Sequence, residues 1–204
     1  MAVPARPNGL EDDEEEGIFG EEELEMDINI DTTPPHLRAL AEAAQLGNVD
    51  ALRHALDILT GNIDEPVEDG DTALHLTCLY GYLPCVQLLL ERGASMEAKD
   101  EDGAIPIHDA CAGGFAEIVQ LLINSAGNPD LVNKMLNTVD VEGDTPLHHA
   151  ARGEHVEVVR LLLAAGASPT KANIYGKPVV NQDEKKEVCF VIGVVMGVAS
   201  LRQE

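Results

Sequence analysis

The spacing of glycines constrains the fold of this chain more than any other sequence feature. Gly70 and Gly103 are 33 residues apart, and Gly143 and Gly176 are also 33 apart. Gly103 and Gly143 are 40 apart, which is the same period with seven inserted residues. A period of this size is typical of stacked units that bury their apolar faces only against their neighbours. The sequence therefore predicts a repeat solenoid.

A short motif predicts how each unit begins. Its fullest copy, DTPLHHAA at residues 144–151, has weaker copies that end in His75 and His108. Glycine precedes each copy and takes the positive φ that a tight turn needs. Thr145 supplies an N-cap oxygen, and Pro146 suits the first helical turn, which needs no N–H. Each unit is therefore expected to be a β-turn finger followed by a helix pair.

The fold class predicted is an all-α solenoid of about four helix-turn-helix units. The expected bounds are 36–67, 68–100, 101–140 and 141–173, with the start of a fifth unit at 174–177. The seven inserted residues fall within 127–137 and are expected to lengthen the second helix of the third unit or its exit loop. Ile105 replaces the capping Thr, a loss of roughly 1 kcal/mol. We therefore predict that the third unit is the weakest interior unit.

Charge and composition limit the partners of the chain. Its net charge is −24, it has no Trp, and aromatic residues make up 3%. This charge repels phosphate backbones, and there are few rings on which bases could stack. Nucleic-acid binding is therefore not expected, and an electrostatic partner should be basic.

Residues 1–35 form a separate acidic region. Twelve Asp and Glu side chains stand in 1–31 against Arg6 alone, which predicts disorder. Apolar residues such as Phe19 and Leu24 are interspersed among them. Two interpretations stay open: a solubilising tail, or a docking motif for a basic or chaperone-like partner. With no apolar signal segment at the start, we expect a cytoplasmic or nuclear protein.

The cysteines and histidines predict neither a metal site nor a catalytic centre. Cys78 and Cys111 are 33 residues apart, so they occupy equivalent places in neighbouring units and are expected to be buried free thiols. No cysteine pair has C-x2-C spacing, and the sequence has no P-loop or dinucleotide fingerprint. We expect no cofactor and no metal, and we keep an enzyme only as a remote alternative.

The C-terminal segment 178–204 departs from the repeat pattern. Residues 188–201 are uncharged, β-branched and dotted with glycine where a capping helix should stand. We interpret the segment as an alternative C-terminus produced by splicing or gene-model read-through. As a helix, these residues would span about 21 Å, against about 30 Å of hydrocarbon, so a membrane anchor is the less favoured alternative. Packing on the open end of the fourth unit is a third possibility.

The motif and its period together resemble those of ankyrin-repeat proteins over about 36–177. The acidic leader and the string DGDTALHLTC at 69–78 resemble the small acidic ankyrin-repeat proteins of land plants. The resemblance implies a non-enzymatic, monomeric protein-interaction module or adaptor that uses a concave surface, with a membrane-tethered scaffold as the alternative. It also implies that the motif histidines tie neighbouring turns together.

Carried onto this chain, the resemblance places the variable binding positions on the turn tips and the first helices. They are Glu68, Asp69, Asp71, Leu79, Tyr80, Glu101, Asp102, Ala104, Ala112, Val141, Glu142, Asp144, His149, Arg152, Ile174 and Tyr175. Leu79, Tyr80 and Tyr175 are the expected apolar anchors, and the acidic tips are expected to attract a basic protein or peptide.

Overall fold

The computed structural model describes residues 37–68 and 70–179, and these residues form helices joined by tight turns. In chain order the helices are α1 (Arg38–Gln45), α2 (Val49–Ile58), α3 (Ala73–Leu79), α4 (Leu83–Glu91), α5 (Pro106–Ala112), α6 (Ala116–Ser125), α7 (Pro129–Asn137), α8 (Pro146–Arg152) and α9 (Val156–Ala164). Over these two ranges there are only isolated β-bridges and no strand. The predicted all-α repeat solenoid is confirmed.

The helices stack in two rows. The first helices of successive units, α1, α3, α5 and α8, pack side by side, and the second helices, α2, α4, α6 and α9, form the other row. Small residues at the interface allow the first row to approach closely, since Ala110 and Ala150 are fully buried. Apolar side chains from both rows merge into one continuous core. Each unit thus buries its apolar faces on the next, as a repeat array requires.

An aromatic ring of each unit packs on a glycine of the unit before it. A Cβ at Gly81 would lie 2.4 Å from the Phe115 ring, and one at Gly114 would lie 2.4 Å from the His155 ring. These glycines also have φ values of +79° and +75°, which strain other residues. Each glycine is therefore required both by its own turn and by the next unit. The same contact joins Gly47 to Tyr82.

Glu154 breaks this rule in the fourth unit. It stands where Gly81 and Gly114 stand in the second and third units, and its φ is 61°. Among residues 37–68 and 70–179, no other non-glycine residue has a positive φ. A left-handed conformation costs a residue with a Cβ roughly 1–2 kcal/mol. The fourth unit therefore carries strain that the earlier units avoid.

The insertion in the third unit forms a helix of its own. We expected it to lengthen the second helix or its exit loop, but α6 ends at Ser125 and a separate helix, α7, begins at Pro129. Asn128 caps α7 by accepting a hydrogen bond from Leu131 N at 2.7 Å. Met135 and Leu136 bury the apolar face of α7 in the core. The inserted residues extend the core of the third unit and add an exposed polar helix face.

Several expectations lie outside the described residues. The acidic region 1–35 and all but the first two residues of the segment 178–204 belong to this group, as does Asp69. Within the part of the chain that is described, none of the helices has the length and apolarity that crossing a membrane would require.

Candidate functional site

The finger tips of the third, fourth and fifth units are joined to each other by main-chain hydrogen bonds. Val141 N donates to Asp102 O at 2.8 Å, and Ile174 N donates to Glu142 O at 3.0 Å. The tips therefore form a continuous ridge, which we call the finger ridge, with Glu101 and Asp102 at one end and Ile174 and Tyr175 at the other. Beside it lie the C-terminal ends of the first helices.

Most of the predicted binding positions are solvent-exposed on this ridge and the helix ends beside it. The exposed ones are Glu68, Leu79, Tyr80, Glu101, Asp102, Ala112, Val141, Glu142, Arg152, Ile174 and Tyr175. Asp71 is half-buried, and Asp69 lies outside the described residues. Whether these residues contact a partner stays a prediction.

The predictions that Ala104 and Asp144 lie on the surface are wrong. Ala104 is 7% exposed, and Asp144 is completely buried. The Asp144 carboxylate accepts a hydrogen bond from Asn173 Nδ2 at 2.8 Å and another from Arg152 Nη2. Asn173 is 29 residues further along the chain, at the base of the next finger. Asp144 is therefore a link between fingers and cannot serve as a contact for a partner.

His149 was also expected to be exposed, and it is not. Only 19% of its side chain is accessible, and Nε2 lies 2.8 Å from Asp140 Oδ2. Its ring meets the ring of His108 edge-on, with centroids 5.4 Å apart. The other oxygen of Asp140, Oδ1, accepts hydrogen bonds from the main-chain N–H groups of Glu142 and Asp144, both at 2.9 Å. Asp140 thus closes the finger turn and binds it to α8.

Asp140, Asp144 and His149 are the described residues that come nearest to a metal-ligand set. Their ligand atoms all lie within 4.8 Å of one another. However, every carboxylate oxygen in the group already accepts a hydrogen bond, and the Arg152 guanidinium pairs with Asp144. A divalent cation would have to displace these donors and sit beside a fixed positive charge. The geometry therefore favours a structural cluster, in which these side chains hold the finger through hydrogen bonds to one another and to the main chain.

The third unit places a second carboxylate where the fourth has His149. Asp100 and Asp109 have the same nine-residue separation as Asp140 and His149. Asp100 Oδ1 accepts from Ala104 N at 2.8 Å, as Asp140 accepts from Asp144. Asp109 Oδ2 is buried and has no hydrogen-bond partner among the described residues. Sequence reasoning overlooked this acid pair, although the shared offset could have revealed it.

Burial sets the protonation state of Asp109. Desolvation, followed by the charges of Asp71 and Asp100, raises the pKa of Asp109 from 3.8 to about 8. A carboxyl group with this pKa is mostly protonated at pH 7, so it is neutral where its counterpart His149 faces a carboxylate. The first helix of the third unit, α5, therefore carries a largely buried carboxylic acid.

The motif histidines are buried and neutral. Desolvation lowers the pKa of His75 and of His148, and with the nearby His149 it lowers the pKa of His108 to about 4. Because Thr145 N can only donate, its 3.1 Å hydrogen bond makes Nδ1 of His148 an acceptor. Its proton then resides on Nε2, which lies 3.3 Å from Lys177 O in the next finger.

The histidine link between neighbouring turns is thus confirmed for His148. For His75 and His108, Nε2 has no hydrogen-bond partner in the described ranges, so their principal bonds are within their own turn. His108 Nδ1 accepts from Ile105 N at 3.1 Å, which keeps half of the cap although Ile105 has no hydroxyl. In the fourth unit the Thr145 hydroxyl also reaches the ring, with Oγ1 2.8 Å from Nδ1.

The cysteines of the described residues are free and buried, as expected. Cys78 and Cys111 have no accessible surface, and burial raises the pKa of each thiol well above its ordinary value. Burial also raises the pKa of Cys85. Thiols in this state are inert packing groups.

A shallow cleft of about 260 Å³ lies between α1 and α2. Its lining is largely apolar: Ala39, Glu42, Ala43, Leu46, Asn48, Ala51, His54 and Ala55. The groups with displaced pKa values, among them Asp109 and His108, lie in other units. The cleft does not combine a cavity with perturbed titrating groups, the pairing typical of catalytic sites.

Comparison with known families agrees with this architecture. A family model described as ankyrin repeats (three copies) matches residues 23–100 and 93–173, which together cover most of the chain. No curated protein gives a match. The matched residues include every finger of the ridge except the tip of the fifth unit.

Proposed function

We propose that this chain, which belongs to the ankyrin-repeat family, is a non-enzymatic adaptor that binds a basic protein or peptide along its finger ridge. Ankyrin repeats generally mediate protein–protein interaction, and the family is typically non-enzymatic. The finer proposal depends on the chemistry of this ridge. Glu101 and Asp102 are exposed at its acidic end, and their neighbour Glu68 is exposed on the finger before them.

The exposure of these acids is the observation that carries the proposal. The carboxylates at the bases of the fingers already have side-chain partners, since Arg152 pairs with Asp144 and His149 Nε2 lies 2.8 Å from Asp140. Glu101 and Asp102 instead project into solvent at the tips. In a chain with a net charge of −24, they extend a negative field outward, which speeds encounter with a positive partner.

Apolar anchors stand beside the acids. Leu79 is 41% exposed and Tyr80 is 50% exposed at the C-terminal end of α3. The Tyr80 ring lies 5.9 Å from the Tyr82 ring, and Tyr82 is itself held by Gly47 of the first unit. A tyrosine supported in this way loses little entropy on binding, and tyrosines are common energetic anchors at interfaces.

A charge-reversal comparison tests the proposal. The probe is a fluorescent peptide that contains a block of four Lys and Arg residues, and fluorescence anisotropy reports its affinity between about 50 and 300 mM NaCl. E101K/D102K should weaken binding of the full chain at least tenfold and should flatten its salt dependence. The matched control E117K/E157K makes the same change in net charge at exposed positions in α6 and α9.

The control separates a local site from the general field of the protein. If both variants weaken binding equally, only the net charge matters and the ridge is not the site. Unchanged affinity in E101K/D102K would contradict the proposal. Sedimentation velocity of the unbound chain checks the further proposal that the adaptor is a monomer, and a fluorescent fusion checks its expected cytoplasmic or nuclear location.

A further inference from the structure

The finger ridge changes from acidic to apolar along its length. Its exposed tips are Glu101 and Asp102 in the third unit, Val141 with Glu142 in the fourth, and Ile174 with Tyr175 in the fifth. Val141 is 62% exposed, Ile174 66% and Tyr175 63%. Large apolar side chains gathered on consecutive fingers form a patch, unlike single exposed residues, which are ordinary.

The fold holds this apolar patch in place. A Cβ at Gly143 would lie 2.8 Å from Ile174 N, so the fourth and fifth fingers are in direct contact. Asn173 Oδ1 accepts hydrogen bonds from Tyr175 N at 3.0 Å and from Lys177 N at 3.1 Å, which fixes the fifth turn. The exposed side chains therefore stand on a rigid base, which lowers the entropic cost of binding on them.

Charge also divides the ridge. In the fourth unit Glu142 Oε2 lies 3.7 Å from Arg152 Nη2, and the same guanidinium pairs with the buried Asp144. The negative charge of the fourth finger is thus partly compensated. We therefore expect a cationic segment to be attracted most strongly to the third finger. An apolar segment should bind best at the fifth finger, where it desolvates the fewest charged side chains.

We propose that Val141, Ile174 and Tyr175 form an apolar anchor site for the same basic partner, which therefore carries both a Lys/Arg block and a large apolar residue. This inference rests on the proposed function. Packed helices of successive units are about 8–10 Å apart, so two steps along the ridge span about 20 Å. An extended chain covers that distance in about six residues. The partner motif is a basic block separated by about six residues from an aliphatic or aromatic side chain.

Two peptides test this arrangement on the full chain. One carries only the block of four Lys and Arg residues. The other adds a six-residue Gly/Ser spacer and a Leu-Phe pair, in both directions relative to the block. We expect one direction of the longer peptide to bind at least tenfold more tightly than the block alone. I174S/Y175S should abolish this gain and leave the affinity for the block unchanged.

A control variant makes the same chemical change elsewhere. L46S/I58S replaces exposed apolar residues of the first unit, which are 67% and 58% accessible, and should keep the gain. Circular dichroism confirms that each variant is folded, which is expected since all four side chains are exposed. Salt should change the affinity for the basic block and leave the gain from the Leu-Phe pair nearly constant.

The outcomes separate this inference from the function on which it rests. An equal affinity for both peptides, or a gain that persists in I174S/Y175S, overturns the anchor site even where E101K/D102K still weakens binding of the block. If E101K/D102K leaves binding of the block unchanged, both proposals fail. Self-association of the full chain that I174S/Y175S abolishes would also overturn the anchor, because a second copy would then occupy the patch.

Discussion

The third and fourth units place different charges at equivalent points of one scaffold. Asp140, the residue just before the fourth unit, faces His149 of that unit at 2.8 Å. The corresponding residues at the third unit are both acids, Asp100 just before it and Asp109 within it, and burial with neighbouring negative charge keeps Asp109 mostly protonated at pH 7. The backbone of the finger is closed in the same way in both units. The difference shows that the first Asp of each pair closes the finger turn in both units. The side chain nine residues after that Asp, Asp109 or His149, sets the local charge.

A second pair of positions shows the same contrast. The fourth unit joins Asp144 to Arg152, while the third has Ala104 and Ala112 at these positions. The fourth finger therefore has an ion pair with one member fully buried, and the third has no charged side chain at either position. Removing a charged side chain should consequently destabilise the fourth unit and stabilise the third. Four predictions test the comparison of the two units.

The largest effect is expected from R152M in the fourth unit. Methionine keeps much of the aliphatic volume but removes the guanidinium from the buried Asp144 carboxylate, which keeps its hydrogen bond from Asn173. Loss of a hydrogen bond to a charged group, with the charge still buried, should lower the free energy of unfolding by about 2–3 kcal/mol. Urea denaturation measures the change. The double variant D144A/R152M should recover part of it, and a double variant as unstable as the sum of its parts would refute the pairing.

D109N in the third unit should stabilise the protein at high pH, whereas R152M destabilises it. The pKa of Asp109 rises from 3.8 to about 8 on folding, so the native state binds the extra proton. Its contribution is therefore complete below about pH 4 and is lost as the pH rises toward 8. D109N should remove this decline and stabilise the protein at pH 9 by at least about 1 kcal/mol.

Thermal denaturation between about pH 5 and 9 gives the slope for wild type and D109N. The control is D102N, a change from Asp to Asn at the exposed tip of the same finger. D102N should leave the slope unaltered. The same slope in wild type and D109N would mean that Asp109 is ionised in the folded protein.

Hydrogen exchange should rank the interior units. The third unit lacks the hydroxyl that Thr72 and Thr145 bring to the motif histidine, and this deficit is worth roughly 1 kcal/mol. Its amides in α5 are therefore expected to exchange through a smaller opening free energy than those of α8. The helix α7 works against this order, because Met135 and Leu136 add buried apolar surface. Earlier opening of the fourth unit would disprove the prediction.

The smallest effect is expected from E154G. Replacing a residue at φ 61° with glycine relieves left-handed strain and should stabilise the fourth unit by about 0.5–1 kcal/mol. The complementary change, G114A, should destabilise the third unit by more, because its Cβ would also meet the His155 ring at 2.4 Å. Chemical denaturation compares the two. Destabilisation by E154G would show that contacts of the Glu154 side chain outweigh the strain.

Sequence reasoning recovered the fold and the fingers but misplaced part of the surface. The period and the motif were sufficient for the helix pairs, because each unit repeats the same local signals. Asp144 was misassigned because its burial comes from Arg152 and Asn173, the second of which belongs to the next finger. The insertion was misjudged for a similar reason. Asn128 and Pro129 are local signals for a helix start, but the helix is stabilised by burial of Met135 in the core, which the local sequence does not reveal.

The repeat period by itself determined the architecture of this protein: two rows of helices, turns that require glycine, and a ridge of finger tips. These features follow from local rules, since backbone geometry and capping act within a few residues. Only the tertiary structure decided which polar side chains are exposed and can contact a partner. Asp144 and Asp102 belong to neighbouring fingers, and the sequence predicted both to be exposed. Asp144 is buried in an ion pair with Arg152, whereas Asp102 is exposed. Burial is a property of neighbouring units, and it is burial that separates a structural charge from one that can meet a partner.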